Sequence, residues 1–327
     1  MENKKMDCIS LLRMLSVFSI ISCHIMQFYN NELAWWFNTG VQVFLLISGF
    51  LYSQKNIKVK EFYKKNIVKI LFDYYVYFFI VLFFYILLKR DYLSILNIIT
   101  TFFGMGGIDG LGHTWFISTI IICYMLTPFL QKIKNKVKNI FLLLVYFFIL
   151  MGFVEVIFYF LSYSSGTWIN CYIVGYIFGI FYSNKKYEDI FNFLSKITLI
   201  IGIFSNISQI YLKYFFTINK DNIIFKIFYR YNKILLALVI LIIFVNYLKN
   251  YNSKNKYIQY IYIYMNKYSY DIYLTHHIYI LGPFSILNFF LFKGKILGIL
   301  VVFILSIMSG VILNKLCAKM KVLLNLV

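Results

Sequence analysis

The chain has 327 residues, of which 61% are hydrophobic and 13% charged, and its formal net charge is +20. A soluble globular domain runs at about 45–50% apolar and about 25% charged, and a disordered chain is polar and charged. Composition therefore excludes both, and a mean hydropathy of +0.77 points to the bilayer.

The basic residues sit in clusters between long apolar runs: Lys55 to Lys69, Lys132 to Lys138, Lys185–Lys186, Lys249 to Lys256 and Lys315 to Lys321. That is the pattern of cytoplasmic loops. A nucleic-acid surface needs a basic face on a water-soluble fold, so no nucleic-acid partner is expected. Only Arg13, Arg90 and Arg230 are arginine, so an arginine inside an apolar run points to a need for the planar guanidinium. The cysteines Cys8, Cys23, Cys123, Cys171 and Cys317 form no CxxC pair and read as small buried hydrophobes.

Lys4 and Lys5 precede the first apolar run, as in a signal peptide. That run contains Arg13 and His24 and lacks a small-x-small cleavage site, so it reads as a retained membrane helix. A crossing takes about 20 apolar residues. The expected spans are 9–28, 38–54, 70–88, 113–131, 139–161, 168–183, 190–212, 232–248, 268–291 and 296–315. The apolar segment 93–103 is too short to cross and reads as re-entrant or interfacial. With the N-terminus inside, the inner loops take most of the lysines, whereas Lys89, Lys213, Lys220, Lys226, Lys233, Lys293 and Lys295 fall outside. The expected fold is an all-α polytopic bundle of about ten transmembrane helices. Both termini are expected in the cytoplasm, and residues 1–327 form a single transmembrane domain with no appended soluble domain.

Ionisable groups inside spans are costly in lipid and are functional candidates. They are Arg13, His24, Asp73, His113, Glu155, Asp271, His276 and His277. Arg13 and His24 are eleven residues apart, about 20° past three full turns, so they share one stripe about 16 Å long. Arg13 can be a snorkelling cation or a substrate contact, and His24 a structural histidine or a base. The glycine at Ser48-Gly49 allows close helix approach, or room for a ligand's narrow chain. Gly112-His113-Thr114-Trp115 opens the fourth span from the outer face, level with His24. Adjacent helical residues point about 100° apart, so on a continuous helix at most one of His276 and His277 faces a given site. No HxxxH or HxxE spacing occurs, and no metal is expected.

Arg13-x10-His24, then Gly40-xxx-Phe44-xxx-Ser48-Gly49-Phe50, then Trp115-Phe116 with Tyr124 and Pro128, then Ser269-xxx-Tyr273-Leu274-x-His276 resemble the integral-membrane acyltransferase family 3. The resemblance runs in order over nearly the whole chain. It implies a ten-helix membrane domain that transfers an acyl group, most often acetyl, from acetyl-CoA to sugars of cell-surface polysaccharides. By resemblance Arg13 and His24 are the catalytic or donor-binding pair, and the late-helix histidine is His276 rather than His277. Two positions depart from the family pattern. Ser10 stands where an acidic residue is common, and the basic RxxR stretch reads Asn66-Ile-Val-Lys69.

The resemblance implies acetyl-CoA as co-substrate, with no cofactor held permanently. Its phosphates are expected at Lys60, Lys64, Lys65 and Lys69 with Arg13, and its narrow arm beside Ser48 and Gly49. His24 is expected as general base or as a transient acyl carrier. His113, Trp115, His276 and Glu155 are candidates for the acceptor side. Expected partners are the lipid bilayer, a glycan or lipid-linked saccharide, and polysaccharide-biosynthesis proteins, at the bacterial cytoplasmic membrane. The alternative from another class is a transporter or flippase for a glycan or lipid-linked intermediate.

Overall fold

The computed structural model describes residues 2–160, 166–215, 223–247, 256–290 and 294–324. It is 87% helical, with no strand among the described residues. Lys220, Lys249, Lys254 and Lys293, used in the loop-charge argument, lie outside the described residues.

The helices are α1 (Glu2–Phe28), α2 (Ala34–Phe37), α3 (Thr39–Ser53), α4 (Val59–Tyr63), α5 (Lys69–Leu88), α6 (Ile95–Phe102) and α7 (Trp115–Lys136). After them come α8 (Ile140–Phe160), α9 (Gly166–Ser183), α10 (Glu188–Phe215), α11 (Ile223–Ile242), α12 (Lys256–Thr275), α13 (Leu287–Phe290) and α14 (Lys295–Leu323). A π-helical turn, Lys64–Val68, joins α4 to α5.

Eight of these stretches are long and apolar enough to cross a membrane. They answer eight of the expected spans. The span expected at 168–183 is α9, which is long enough at 18 residues but carries Asn170 and several tyrosines. The eight-residue α6 is too short to cross, as its apolar run suggested.

The span expected at 268–291 needs correction. The helix there is α12, and it ends at Thr275. A short 3-10 turn, His277–Tyr279, follows, and then the four-residue α13. Gly282, at φ +88°, and Pro283 keep a helix from resuming directly after that turn: the first adopts a backbone that L side chains avoid, and the second has no N–H to give a helix.

The chain divides into two compact units, each assembled from three stretches of sequence. The first comprises Met1–Ser16, Thr39–Ile57 and Met125–Gln259. Its centre is the α3–α9 pair. A side chain on Gly49 would overlap the Tyr172 carbonyl oxygen, and one on Gly175 would overlap that of Leu46. Without a strong hydrophobic force between helices in lipid, such close backbone contact supplies the packing energy.

The second unit comprises Val17–Asn38, Lys58–Tyr124 and Tyr260–Val327. Its core includes Tyr74, Phe78, Tyr85, Ile272 and Leu274, all essentially inaccessible. Phe79, Phe83 and Leu87 turn outward from α5, as a lipid-facing helix requires.

Candidate functional site

In the second unit the loop 103–114 joins α6 to α7 and carries His113. Thr101 anchors it: the threonine hydroxyl oxygen accepts the N–H groups of Gly107 and Ile108 at 3.0 and 2.8 Å. The Tyr85 hydroxyl donates to the Asp109 carbonyl, and Ser118 donates to that of Gly104. Gly110, at φ +79°, then meets Gly282 backbone to backbone. A side chain on Gly282 would come within 2.7 Å of the Gly110 Cα. These contacts fix the turn Gly112–Thr114 that presents His113.

The end of α12 receives that histidine. The last carbonyls of a helix have no N–H partner within the helix. Here His113 Nε2–H donates to the Leu274 carbonyl at 2.9 Å, and His276 Nδ1–H donates to that of Tyr273 at 2.6 Å. The Tyr273 hydroxyl donates back to the His113 carbonyl at 2.6 Å. Because α12 has stopped, the chain turns at once, and His277 Nδ1–H reaches the Gly110 carbonyl at 2.8 Å.

His24, near the end of α1, completes the cluster. Its ring centroid lies 5.2 Å from that of His276 and 4.5 Å from that of His277. His113 lies 5.2 Å from His276 and 4.6 Å from His277. These four are all the histidines in the chain. The sequence reading allowed only one of His276 and His277 to face such a site. That held for a continuous helix, and the break after Thr275 removes the constraint. Sequence reasoning names His277 as a candidate but sets it aside in favour of His276.

The acceptors fix the tautomers. A carbonyl oxygen only accepts, so the ring nitrogen against it carries the proton. His24 Nδ1 likewise faces the Gln27 side-chain oxygen at 2.7 Å, with the amide oriented as an acceptor. The second ring nitrogen of each histidine is therefore a lone pair. His113 Nδ1 and His276 Nε2 are buried and have no hydrogen-bond partner. His113, His276 and His277 are buried, whereas His24 is partly exposed and Gln27 is exposed. The cluster is a group of acceptors with one open member. Among the described residues no set of three His, Cys, Asp or Glu has the geometry to hold a metal ion.

Trp115 stands half-buried at the start of α7, packed edge-on against Phe116, and Phe116 touches Tyr273 at 5.0 Å. Arg13, on α1, is half-buried and belongs to the first unit. Glu155 also lies in the first unit, where it accepts from the Tyr231 hydroxyl at 2.8 Å and the Asn170 amide at 3.1 Å. The room expected beside Gly49 is absent, because the backbone of α9 fills it. Ser48 turns its hydroxyl back onto the Phe44 carbonyl of its own helix.

A recess of about 670 Å³ opens in the second unit between the start of α5 and the end of α14. Lys64, Lys65, Lys69, Lys267 and Lys321 line it, with Glu61, Phe72 and Asn314. Three of the four lysines named from sequence are there, and Lys60 is not. Lys267 and Lys321 are additions. Lys321 Nζ lies 2.5 Å from Asp73 Oδ1, and the Asn314 amide donates to Asp271 Oδ2 at 2.7 Å.

The profile of acyltransferase family 3, described as an acyltransferase domain, matches residues 6–315, essentially the whole chain. No curated protein and no solved structure matches it.

Proposed function

The chain belongs to acyltransferase family 3, and from that membership we propose that it moves an acetyl group from acetyl-CoA to a sugar hydroxyl. The acceptor is a cell-surface polysaccharide or its lipid-linked precursor, and the setting is the bacterial cytoplasmic membrane. The observation that carries this reading is the histidine cluster, in which the four rings pack together, His113 Nδ1 and His276 Nε2 have no hydrogen-bond partner, and only His24 is partly exposed. Such a group suits a substrate that brings its own O–H.

In this reaction His24 Nε2 takes the proton of the acceptor hydroxyl as its oxygen attacks the thioester carbonyl carbon. Gln27 holds the ring by its Nδ1–H, which leaves Nε2 as the basic nitrogen. The tetrahedral intermediate collapses, the C–S bond breaks, and the CoA thiolate leaves with the proton that His24 carried. His276 and His277, packed against His24, fix its ring position. Trp115 and His113 belong to the acceptor side of the proposal, and Arg13 to the donor side on the family resemblance.

The lysine recess supports a polyanionic donor. CoA carries a diphosphate and a further phosphate, and lysines bind such groups as point charges. Lys64, Lys65 and Lys69 are exposed there, and Glu61 in the same lining is paired with Lys58.

The test compares a host strain lacking the protein with strains restored by wild type or His24→Ala. The O-acetyl signal of surface polysaccharide, read by NMR, should vanish on deletion and return only with wild type. Identical spectra in all strains, with the protein expressed, would exclude acetylation of surface glycans.

A further inference from the structure

Lys321 sits on the last turns of α14, beyond residue 315 where the family match ends. Its ammonium is held 2.5 Å from Asp73 Oδ1, and the carboxylate is almost completely buried. The lysine itself keeps 15% of its side-chain surface open and lines the recess. An ammonium has three N–H donors. One serves Asp73, and the others have no protein acceptor among the described residues. The stem lies over the Phe72 ring, with Nζ 5.1 Å from its centroid.

Asn314, about two turns earlier on the same face of α14, repeats the arrangement with Asp271. In both cases a carboxylate on a neighbouring helix grips a polar side chain that also lines the recess. Asp73 Oδ2 and Asp271 Oδ1 are buried and have no hydrogen-bond partner.

We propose that Lys321, positioned by Asp73, is the fixed phosphate-binding cation of the donor recess, with Asn314 held beside it by Asp271. This rests on the reading of an acyl-CoA donor. The physical reason lies in preorganisation. Lys64, Lys65 and Lys69 are exposed and must give up rotamer freedom to grip an anion. Lys321 has already given it up to Asp73, so its contact with a phosphate costs less ordering. The pair Asp73–Lys321 is close to neutral, and its contribution is geometry rather than net charge. The role is one of positioning and binding; neither residue touches the reacting carbonyl.

The experiment measures CoA binding to the purified full-length protein in nanodiscs by calorimetry, with the melting temperature followed in parallel. Lys321→Met should weaken CoA binding by about tenfold, Asp73→Asn by several-fold, and Lys321→Arg should bind within about threefold of wild type. Lys319→Met, exposed on the same helix and outside the recess, should bind as wild type does. If Lys321→Met fails to fold, the double variant Asp73→Asn with Lys321→Met removes both charges together and must still lose affinity. Wild-type affinity in the folded Lys321→Met or double variant overturns this inference alone. An equal loss in Lys319→Met also overturns it, since bulk charge would then be sufficient. Absence of CoA binding by the wild type overturns the donor reading along with it.

Discussion

His113 and His277 stack with ring centroids 4.6 Å apart and planes 21° apart, and each is tied to the other's segment. His113 donates to Leu274, which precedes His277, and His277 donates to Gly110, which precedes His113. The two bonds form a reciprocal clasp between the 103–114 loop and the end of α12. His113→Ala or His277→Ala leaves a buried carbonyl without its donor and opens a cavity. Each should cost about 2–4 kcal/mol, seen as a lowered melting temperature in nanodiscs. An unchanged melting temperature would remove the clasp from the account.

His24 carries the proton in the proposed reaction. His24→Ala should lower kcat by about 10²–10⁴-fold, with KM for the donor little changed. Gln27→Ala frees the ring and should lower kcat by about tenfold. Thiol release from acetyl-CoA in the presence of acceptor glycan reads both. Because the base works only when neutral, the wild-type rate should fall on acidification, whereas the residual rate of His24→Ala should not follow that curve. A His24→Ala variant with wild-type kcat rules out the general-base role.

The exposed lysines of the recess should act on donor affinity and not on chemistry. Replacing Lys64, Lys65 and Lys69 by Met should raise KM for acetyl-CoA by about tenfold or more and flatten its dependence on ionic strength. Lys60→Met should leave KM near wild type, since Lys60 does not line the recess. A large drop in kcat with unchanged KM in the triple variant would contradict this division.

Gly49→Ala tests the α3–α9 contact. The added methyl would meet the Tyr172 carbonyl and lie 2.8 Å from the Tyr176 nitrogen, both backbone atoms with no rotamer to move. Forced separation of the helices should cost about 1–3 kcal/mol. Glu155→Ala should cost a similar amount, about 1–3 kcal/mol, by leaving the Tyr231 hydroxyl without its acceptor and removing one of those of the Asn170 amide. Thermal unfolding checks both, and a wild-type transition in either variant would count against the corresponding packing.

The membrane helices were legible because about 20 apolar residues in succession allow little else. The α12 break was harder to see. Ser269 to Phe290 reads as one hydrophobic run, and only the Gly282-Pro283 pair signals a stop, several residues after the true end. Missing that break also set His277 aside, because an assumed 100° step placed it off the site. Lys267 and Lys321 escaped notice for another reason. A lysine at a helix end already has an explanation in membrane topology, and only packing against Asp73 singles Lys321 out. Glu155 drew attention as an acid in an apolar run, but its partners Asn170 and Tyr231 are uncharged and give no sign in sequence.

The Gly110–Gly282 contact bears on how such an enzyme can be recombined. Two main chains meet there with no side chain between them to absorb a mismatch. The segments around 103–114 and 275–286 are thus cast as one piece, though far apart in the gene. A chimera that takes either segment alone from another protein should misassemble the histidine corner, while one that exchanges both together should keep it.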